Sequence, residues 1–244
     1  MNLLKRGMFS TLRIDRFPAS KLPLVALFLV SLGFTHLGFA QGVIWSNEIT
    51  GTNPNTANPY TTGDVVNSPS VTVSGIGRGP GATGTNTDDR YNANSWNTVS
   101  LDPTAYFTWS LTLSSDSTID FSSLTGANQV SPSGPTSYAL RSSLDGFTAD
   151  IATGSLSGTA AFNYNLSAAS FDNVANSIEF RLYGWGASAA NGTFSVNDFA
   201  FNGIVAIPEP TTVIGALMLV GLVGYRERRR LGSWATRERC SPMS

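Results

Sequence analysis

Apolar and polar residues alternate with a period of two along the middle of the chain, the pattern of strands with one buried face. From Ala105 to Leu113 the apolar residues occupy every second position, and Tyr, Thr and Ser lie between them. The same alternation returns from Ile178 to Tyr183. Shorter strand patterns are predicted at Val43–Ile49, Val71–Val73, Trp96–Leu101, Tyr138–Leu144, Phe147–Ile151, Thr159–Leu166 and Thr193–Phe201.

Turn-forming residues separate these segments, including the pairs Asp145-Gly146 and Asn191-Gly192. Many short strands with frequent turns predict an all-β domain over residues 41–204, folded as an antiparallel β-sandwich or jelly roll. The stretch 51–90 is rich in Gly, Thr, Asn and Pro, so we expect long loops with few strands there.

The N-terminus predicts a secretory signal peptide over residues 1–40. A basic region precedes the apolar segment Leu22–Ala40, which ends in Gly38-Phe39-Ala40 with small residues at the positions that signal peptidase recognises. We expect signal peptidase to cut between Ala40 and Gln41. The alternative is a helix retained as a transmembrane anchor, which the glycines within the segment disfavour.

A second apolar segment, Thr211–Tyr225, predicts a short C-terminal transmembrane helix. Its 15 residues would extend about 22 Å, less than the hydrocarbon core of about 30 Å. Local bilayer thinning and snorkelling arginines would help it to span. The cluster after it predicts a cytoplasmic C-terminal side, with residues 231–244 as a short tail. Its basic residues are Arg226, Arg228, Arg229 and Arg230.

Residues 205–230 contain Pro208-Glu209-Pro210, followed by the predicted helix 211–225 and the arginine cluster 226–230. This order of features resembles a PEP-CTERM sorting signal. The resemblance implies export, an inner-membrane-anchored precursor, and cleavage near the motif by an exosortase-type membrane protease. It also implies a destination at the cell surface or in an exopolysaccharide or biofilm matrix.

The region between Gly75 and Val205 also resembles an ectodomain common among PEP-CTERM proteins. The resemblance is carried by Arg141–Phe147, Glu179–Trp185 and Gly192–Asp198. It implies a jelly-roll sandwich and no established activity.

The charge of the central domain differs from that of the whole chain. Between residues 41 and 207 there are four arginines, no lysine and twelve carboxylates, giving −8 against −1 for the full sequence. Nucleic-acid binding requires Lys and Arg contacts to phosphates, so we exclude nucleic acid as a partner.

Catalytic side chains are scarce in the same region. The only histidine is His36 and the only cysteine is Cys240, both outside it. A Cys nucleophile, a His base, a disulfide and a Cys/His zinc site are therefore excluded for the central domain. A carboxylate pair for glycoside hydrolysis would have to use scarce glutamates such as Glu48 and Glu179. We predict no catalytic residues and a protein that is not an enzyme.

Two groups of side chains are candidates for binding a ligand. The first contains Arg141 and Arg181, which with Asp145 and Glu179 would either contact a ligand or form a cross-strand ion pair on a solvated sheet face. In the second interpretation Asp145 heads a turn.

The second group is aromatic and contains Tyr183 and Trp185, with Trp109 as a further member. Exposed rings stack on sugar faces, whereas the alternation assigns Trp109 to the core. Trp185 lies between two glycines, and for this residue both an exposed and a buried position stay open.

A calcium site is the remaining candidate. Ca²⁺ needs six to eight oxygen ligands, and the region contains no Asp-x-Asp-x-Asp-Gly loop. Turn capping is the favoured role for the aspartates, and we predict no metal site and no cofactor. The aspartates concerned are Asp88, Asp89, Asp120 and Asp198.

These observations predict an exported surface or matrix protein with a structural or interaction role. The alternative is a carbohydrate-binding module that uses Trp185 and binds extracellular polysaccharide. A polysaccharide-active enzyme is a third and weaker alternative.

Overall fold

The computed structural model describes residues 42–207, together with residues 218, 220–222, 224–226 and 228, which are helical. The predicted signal peptide, its cleavage site at Ala40 and Gln41, the sorting motif Pro208-Glu209-Pro210, and Arg229 and Arg230 lie outside the described residues. No helix within the described residues is long and apolar enough to cross a membrane.

Thirteen strands form the described domain. They are β1 Gly42–Glu48, β2 Asp64–Val66, β3 Val71–Arg78, β4 Thr83–Gly84, β5 Tyr91–Asn94, β6 Tyr106–Leu113, β7 Thr118–Val130, β8 Ser137–Ser142, β9 Ala152–Ser155, β10 Thr159–Asn165, β11 Val174–Ala175, β12 Ser177–Trp185 and β13 Phe194–Ala206. Three single-turn 3-10 helices connect them, at Pro54–Thr56, Ser143–Asp145 and Ala169–Phe171.

The strands form two antiparallel sheets, which confirms the prediction of an all-β domain. The large sheet has the order β10-β7-β13-β1-β2, with β11 beside β7, β5 beside β13, and β4 beside β5. The small sheet has the order β3-β6-β12-β8-β9. Every strand pair is antiparallel.

The hydrophobic core lies between the two sheets and is rich in aromatic rings. Trp109 of the small sheet packs edge-on against Phe199 of the large sheet, with 5.6 Å between ring centroids. Phe180 contacts Phe201 across the same interface at 5.1 Å. All four side chains are buried, so the faces predicted to be apolar in β6 and β12 point inward. Burying such large rings is the main driving force for this fold.

Two of the predicted strands do not form and a third ends early, in each case where the backbone turns. Residues Trp96–Leu101 form no strand, because Trp96 turns into the core, where its indole Nε1 donates to the Ala93 carbonyl at 2.9 Å. Residues Phe147–Ile151 form a loop, and Phe147 has φ 63°, which is incompatible with an extended strand. The strand predicted over Tyr138–Leu144 stops at Ser142, where a 3-10 helix begins.

The stretch 51–90, predicted to be mostly loop, also contains strand β3 through Arg78. A bulge between Val73 and Ile76 bends this strand. Gly75 sits in the bulge with φ 83°, and a Cβ atom there would lie 2.3 Å from the Tyr60 carbonyl oxygen. Only glycine fits this backbone conformation and close approach.

Candidate functional site

Most of the predicted ligand-binding residues lie together on the outer face of the small sheet. In the strand register Arg181 on β12 is directly opposite Arg141 on β8, and Tyr183 is opposite Tyr106 on β6. The loop after β8 brings Phe147 onto the same face. We call this group the arginine face: Tyr106, Arg141, Phe147, Arg181 and Tyr183.

Arg181 is held between two aromatic rings. Its guanidinium carbon lies 4.3 Å from the centroid of the Tyr106 ring and 3.8 Å from that of Phe147. Its Nε donates to Glu179 Oε1 at 2.7 Å. Burial alone would lower the pKa of Arg181, but the contacts with Glu179 and Tyr183 outweigh it and raise the pKa. A planar cation stacked on two rings is well suited to fix the loop onto the sheet.

Arg141 fastens the same loop from the neighbouring strand. Its Nε donates to Asp150 Oδ1 at 2.6 Å and its Nη1 to the Phe147 carbonyl at 3.0 Å. Its guanidinium carbon lies 5.7 Å from the Tyr183 ring centroid. Two arginines directly opposite each other would repel, and each is neutralised by its own carboxylate. Both arginines therefore form ion pairs, but neither pair is cross-strand as predicted: Glu179 is on the same strand as Arg181, and Asp150 is in the loop after β8.

Asp145 is not part of this network. Its carboxylate accepts hydrogen bonds from the backbone N–H groups of Ala149 at 2.8 Å and Thr148 at 3.3 Å. The Ala149 bond is the main reason that the pKa of Asp145 is lowered. Asp145 therefore heads the turn, as the sequence favoured, and Asp150 provides the partner for Arg141.

The three aromatic candidates occupy different environments. Trp109 is fully buried in the core, as the alternation predicted. Tyr183 is 2% exposed, because Tyr106 and Arg141 cover its ring, and burial raises the pKa of its hydroxyl. Trp185 is partly exposed at the end of β12, just before Gly186 with φ 81°. Trp185 is therefore the ring of the predicted pair that meets solvent.

Three of the four aspartates proposed for calcium accept hydrogen bonds from backbone N–H groups in connecting segments. Asp88 accepts from Asn53, Asp89 from Gly51, and Asp120 from Asn173. Asp198 is exposed and lies opposite Glu48 between β13 and β1. Within the described residues no group of three or more His, Cys, Asp or Glu side chains could hold a metal ion.

The scarce glutamates lie apart in the fold. Glu48 is on β1 of the large sheet, and Glu179 is on β12 of the small sheet, bonded to Arg181 and Thr108. They therefore do not share one sheet face as a carboxylate pair.

Three members of the network, Tyr106, Phe147 and Asp150, are not among the residues predicted from the sequence. Tyr106 was visible as an outward position of β6, and cross-strand pairing with Tyr183 could have identified it. Phe147 and Asp150 reach the face through a loop whose path has no local signal in the sequence.

No protein-family model matches the chain, and no curated protein matches its sequence. The fold and the outer face define an acidic all-β domain of two antiparallel sheets.

Proposed function

We propose that the chain is an exported surface or matrix protein delivered by a cleavable PEP-CTERM signal. In this proposal residues 1–40 are a signal peptide and the central domain is a sandwich of jelly-roll type. The helix 211–225 and its arginine cluster hold the precursor in the inner membrane until an exosortase-type protease cuts it. The released domain has a structural or interaction role, without catalysis, in an exopolysaccharide or biofilm matrix.

The position at which strand β13 ends carries this proposal. β13 is a 13-residue strand in the middle of the large sheet, paired with β7 and β1. Its last residue is Ala206, and Ile207, just before Pro208, is 51% exposed. The last described strand of the domain thus ends directly before the motif, which supports a motif that a membrane protease can reach. Pro208 and Pro210 favour an extended backbone there, suited to a protease cleft.

The hydrogen bonds that the arginines donate within the domain support a structural role for it. All four arginines between residues 42 and 207 donate to groups of the domain itself. Arg78 bonds to the Asn55 carbonyl and the Tyr91 hydroxyl, and Arg90 bonds to Gln129. Arg141 and Arg181 fasten the loop after β8. These cations stabilise the fold, and the excess of carboxylates keeps the exported domain soluble.

The experiment that tests the proposal changes the motif in a host that contains exosortase. Glu209→Ala combined with Pro210→Ala should leave an uncut precursor in the membrane fraction, because the recognised segment is lost. Glu48→Ala, which changes an exposed acidic residue of the central domain outside the sorting signal, is the control and should be processed normally. Normal release of the double variant would contradict recognition through Pro-Glu-Pro.

A second candidate function is carbohydrate binding through Trp185, favoured by its partial exposure on the outer face of the small sheet. A sugar ring would stack on the exposed indole. Trp185→Ala should then abolish sugar binding with a small loss of stability. Unchanged binding would contradict this role.

A further inference from the structure

A cavity of about 250 Å³ opens at one edge of the domain. It lies where β10, the edge strand of the large sheet, approaches β8 and the segment that follows β9 in the small sheet. Its principal lining residues are Asn128, Tyr138, Leu156, Phe162 and Tyr164. We call it the edge cavity.

Three aromatic rings form one side of the edge cavity. Phe162 and Tyr164, successive inward residues of β10, are stacked with centroids 4.9 Å apart and planes 13° apart. Tyr138 lies 5.4 Å from Tyr164. Two glycines make room for the rings. A Cβ atom at Gly126 would lie 2.6 Å from Phe162 Cζ, and one at Gly154 would lie 3.0 Å from Tyr138 Cε1.

The side chain of Tyr164, which lines the same cavity, carries a buried hydroxyl. Tyr164 is 4% exposed, and its hydroxyl makes no hydrogen bond within the described residues. Buried polar groups are nearly always hydrogen-bonded, so a small shift of this ring would let an occupant of the cavity supply the missing partner. Burial first, and then the electrostatic and hydrogen-bonding influence of the neighbouring Tyr138 hydroxyl, raise the pKa of Tyr164. A tyrosine hydroxyl can both donate and accept a hydrogen bond.

The amide of Asn128 adds a second polar group. Asn128 is 4% exposed and lines the cavity from β7. An amide can both donate and accept hydrogen bonds, so it can pair with the hydroxyl groups of a ligand, which also do both. Ser155, Ser157 and Asn163 complete the polar part of the lining.

The lining selects a ligand class by charge and size. None of the residues that line the cavity is charged, so an anionic ligand would find no cation to pair with. The volume is slightly below the roughly 300–1,000 Å³ of sites for drug-sized molecules, which suits one ring. Aromatic faces beside hydroxyl and amide groups match a pyranose, which has apolar C–H faces and hydroxyls at its edge.

We propose that the edge cavity binds a single neutral sugar ring. The sugar packs its C–H face against the rings of Tyr138, Phe162 and Tyr164, and its hydroxyls bond to Tyr164 Oη and the Asn128 amide. The lining of the cavity includes neither the sorting motif nor Trp185. Sugar binding and release of the domain therefore succeed or fail independently.

The test is a titration of the purified full-length chain with sugars, in which saturation-transfer NMR measures binding. The probes are glucose, galactose, mannose and N-acetylglucosamine, with glucuronate as the charged counterpart. We expect at least one neutral sugar to bind and glucuronate to bind much more weakly. Tyr164→Phe should weaken that binding about fivefold, the effect of one net hydrogen bond. Asn128→Ser, which stays polar but shortens the reach, should weaken it as well.

Tyr106→Phe, the matched change on the arginine face, is the control and should leave sugar binding unchanged. Trp185→Ala separates the two candidate sites, because binding that persists in this variant belongs to the edge cavity and not to the exposed indole. The melting temperature of Tyr164→Phe should equal or exceed that of the parent, since the change removes only an unpaired buried hydroxyl.

Three outcomes would overturn the proposal. The first is that no neutral sugar binds the folded chain, and the second is that glucuronate binds as well as the neutral sugars. The third is that binding survives both Tyr164→Phe and Asn128→Ser. In that case loss of binding in Trp185→Ala would assign the sugar to the outer face instead.

Discussion

Arg181 is the residue on which the arginine face depends most. Its guanidinium fills the space between Tyr106 and Phe147 and also bonds to Glu179. Arg181→Lys keeps the charge but loses the planar stacking. We expect the free energy of unfolding to fall by about 1–2 kcal/mol, measured by urea denaturation.

Arg90→Lys is the matched control for this change, because Arg90 bonds to the Gln129 amide oxygen. We expect a loss below about 1 kcal/mol, the net value of one hydrogen bond. Equal losses in the two variants would show that stacking on Tyr106 and Phe147 contributes nothing.

The two tryptophans of the small sheet provide a comparison of core and surface. Trp109 is fully buried, and Trp109→Ala should cost about 3–5 kcal/mol of folding free energy. Trp185 is partly exposed, so Trp185→Ala should cost about 1–2 kcal/mol, less than burial of a full side chain contributes. Thermal and urea unfolding of both variants would measure the difference. Similar losses would contradict the position of Trp185 at the surface.

The environment of single residues was predictable from the sequence where alternation is strong. Trp109 and Phe180 are buried as predicted, because a strand with one apolar face can bury that face in only one orientation. The partner of Arg141 was not predictable. Asp145 and Asp150 are both near it in sequence, and the turn with φ 63° at Phe147 decides which one reaches the guanidinium.

Strand β3 depends on its bulge, and the bulge depends on glycine. At Gly75, φ is 83° and an added Cβ would meet the Tyr60 carbonyl at 2.3 Å. Gly75→Ala should therefore cost about 3 kcal/mol or more, the sum of left-handed backbone strain and the clash. Gly146→Ala is the control. Its φ is 71° with no atom within 4 Å of the added Cβ, so about 1–2 kcal/mol is expected.

Urea denaturation of the two glycine variants measures this difference. Equal losses would mean that the close approach to Tyr60 is not a constraint on the fold.

Strands differed in how well the sequence predicted them. β6 and β12 alternate cleanly and were found, whereas β7 was missed. The outward positions of β7 carry Ser, Thr, Ala and Gln, which also occur in loops, and its inward positions include Gly126 and Asn128. Register shifts against β13 further break the period of two. Such irregularities are fixed by the partner strand and leave no local pattern.

The whole molecule combines a described all-β domain with terminal segments whose function stays a prediction. Composition and turn spacing were sufficient for the fold class, because an all-β domain needs only alternating strands and turns. The edge cavity was not predictable, since it joins residues from β7, β8 and β10 that only the pairing of strands brings together.

The intact mass of the protein released from the surface of cells that contain exosortase tests the central claim most directly. The account predicts a polypeptide that begins at Gln41 and lacks residues 211–244, because both terminal segments are removed. Recovery of Cys240 in the released protein would contradict cleavage at the sorting signal.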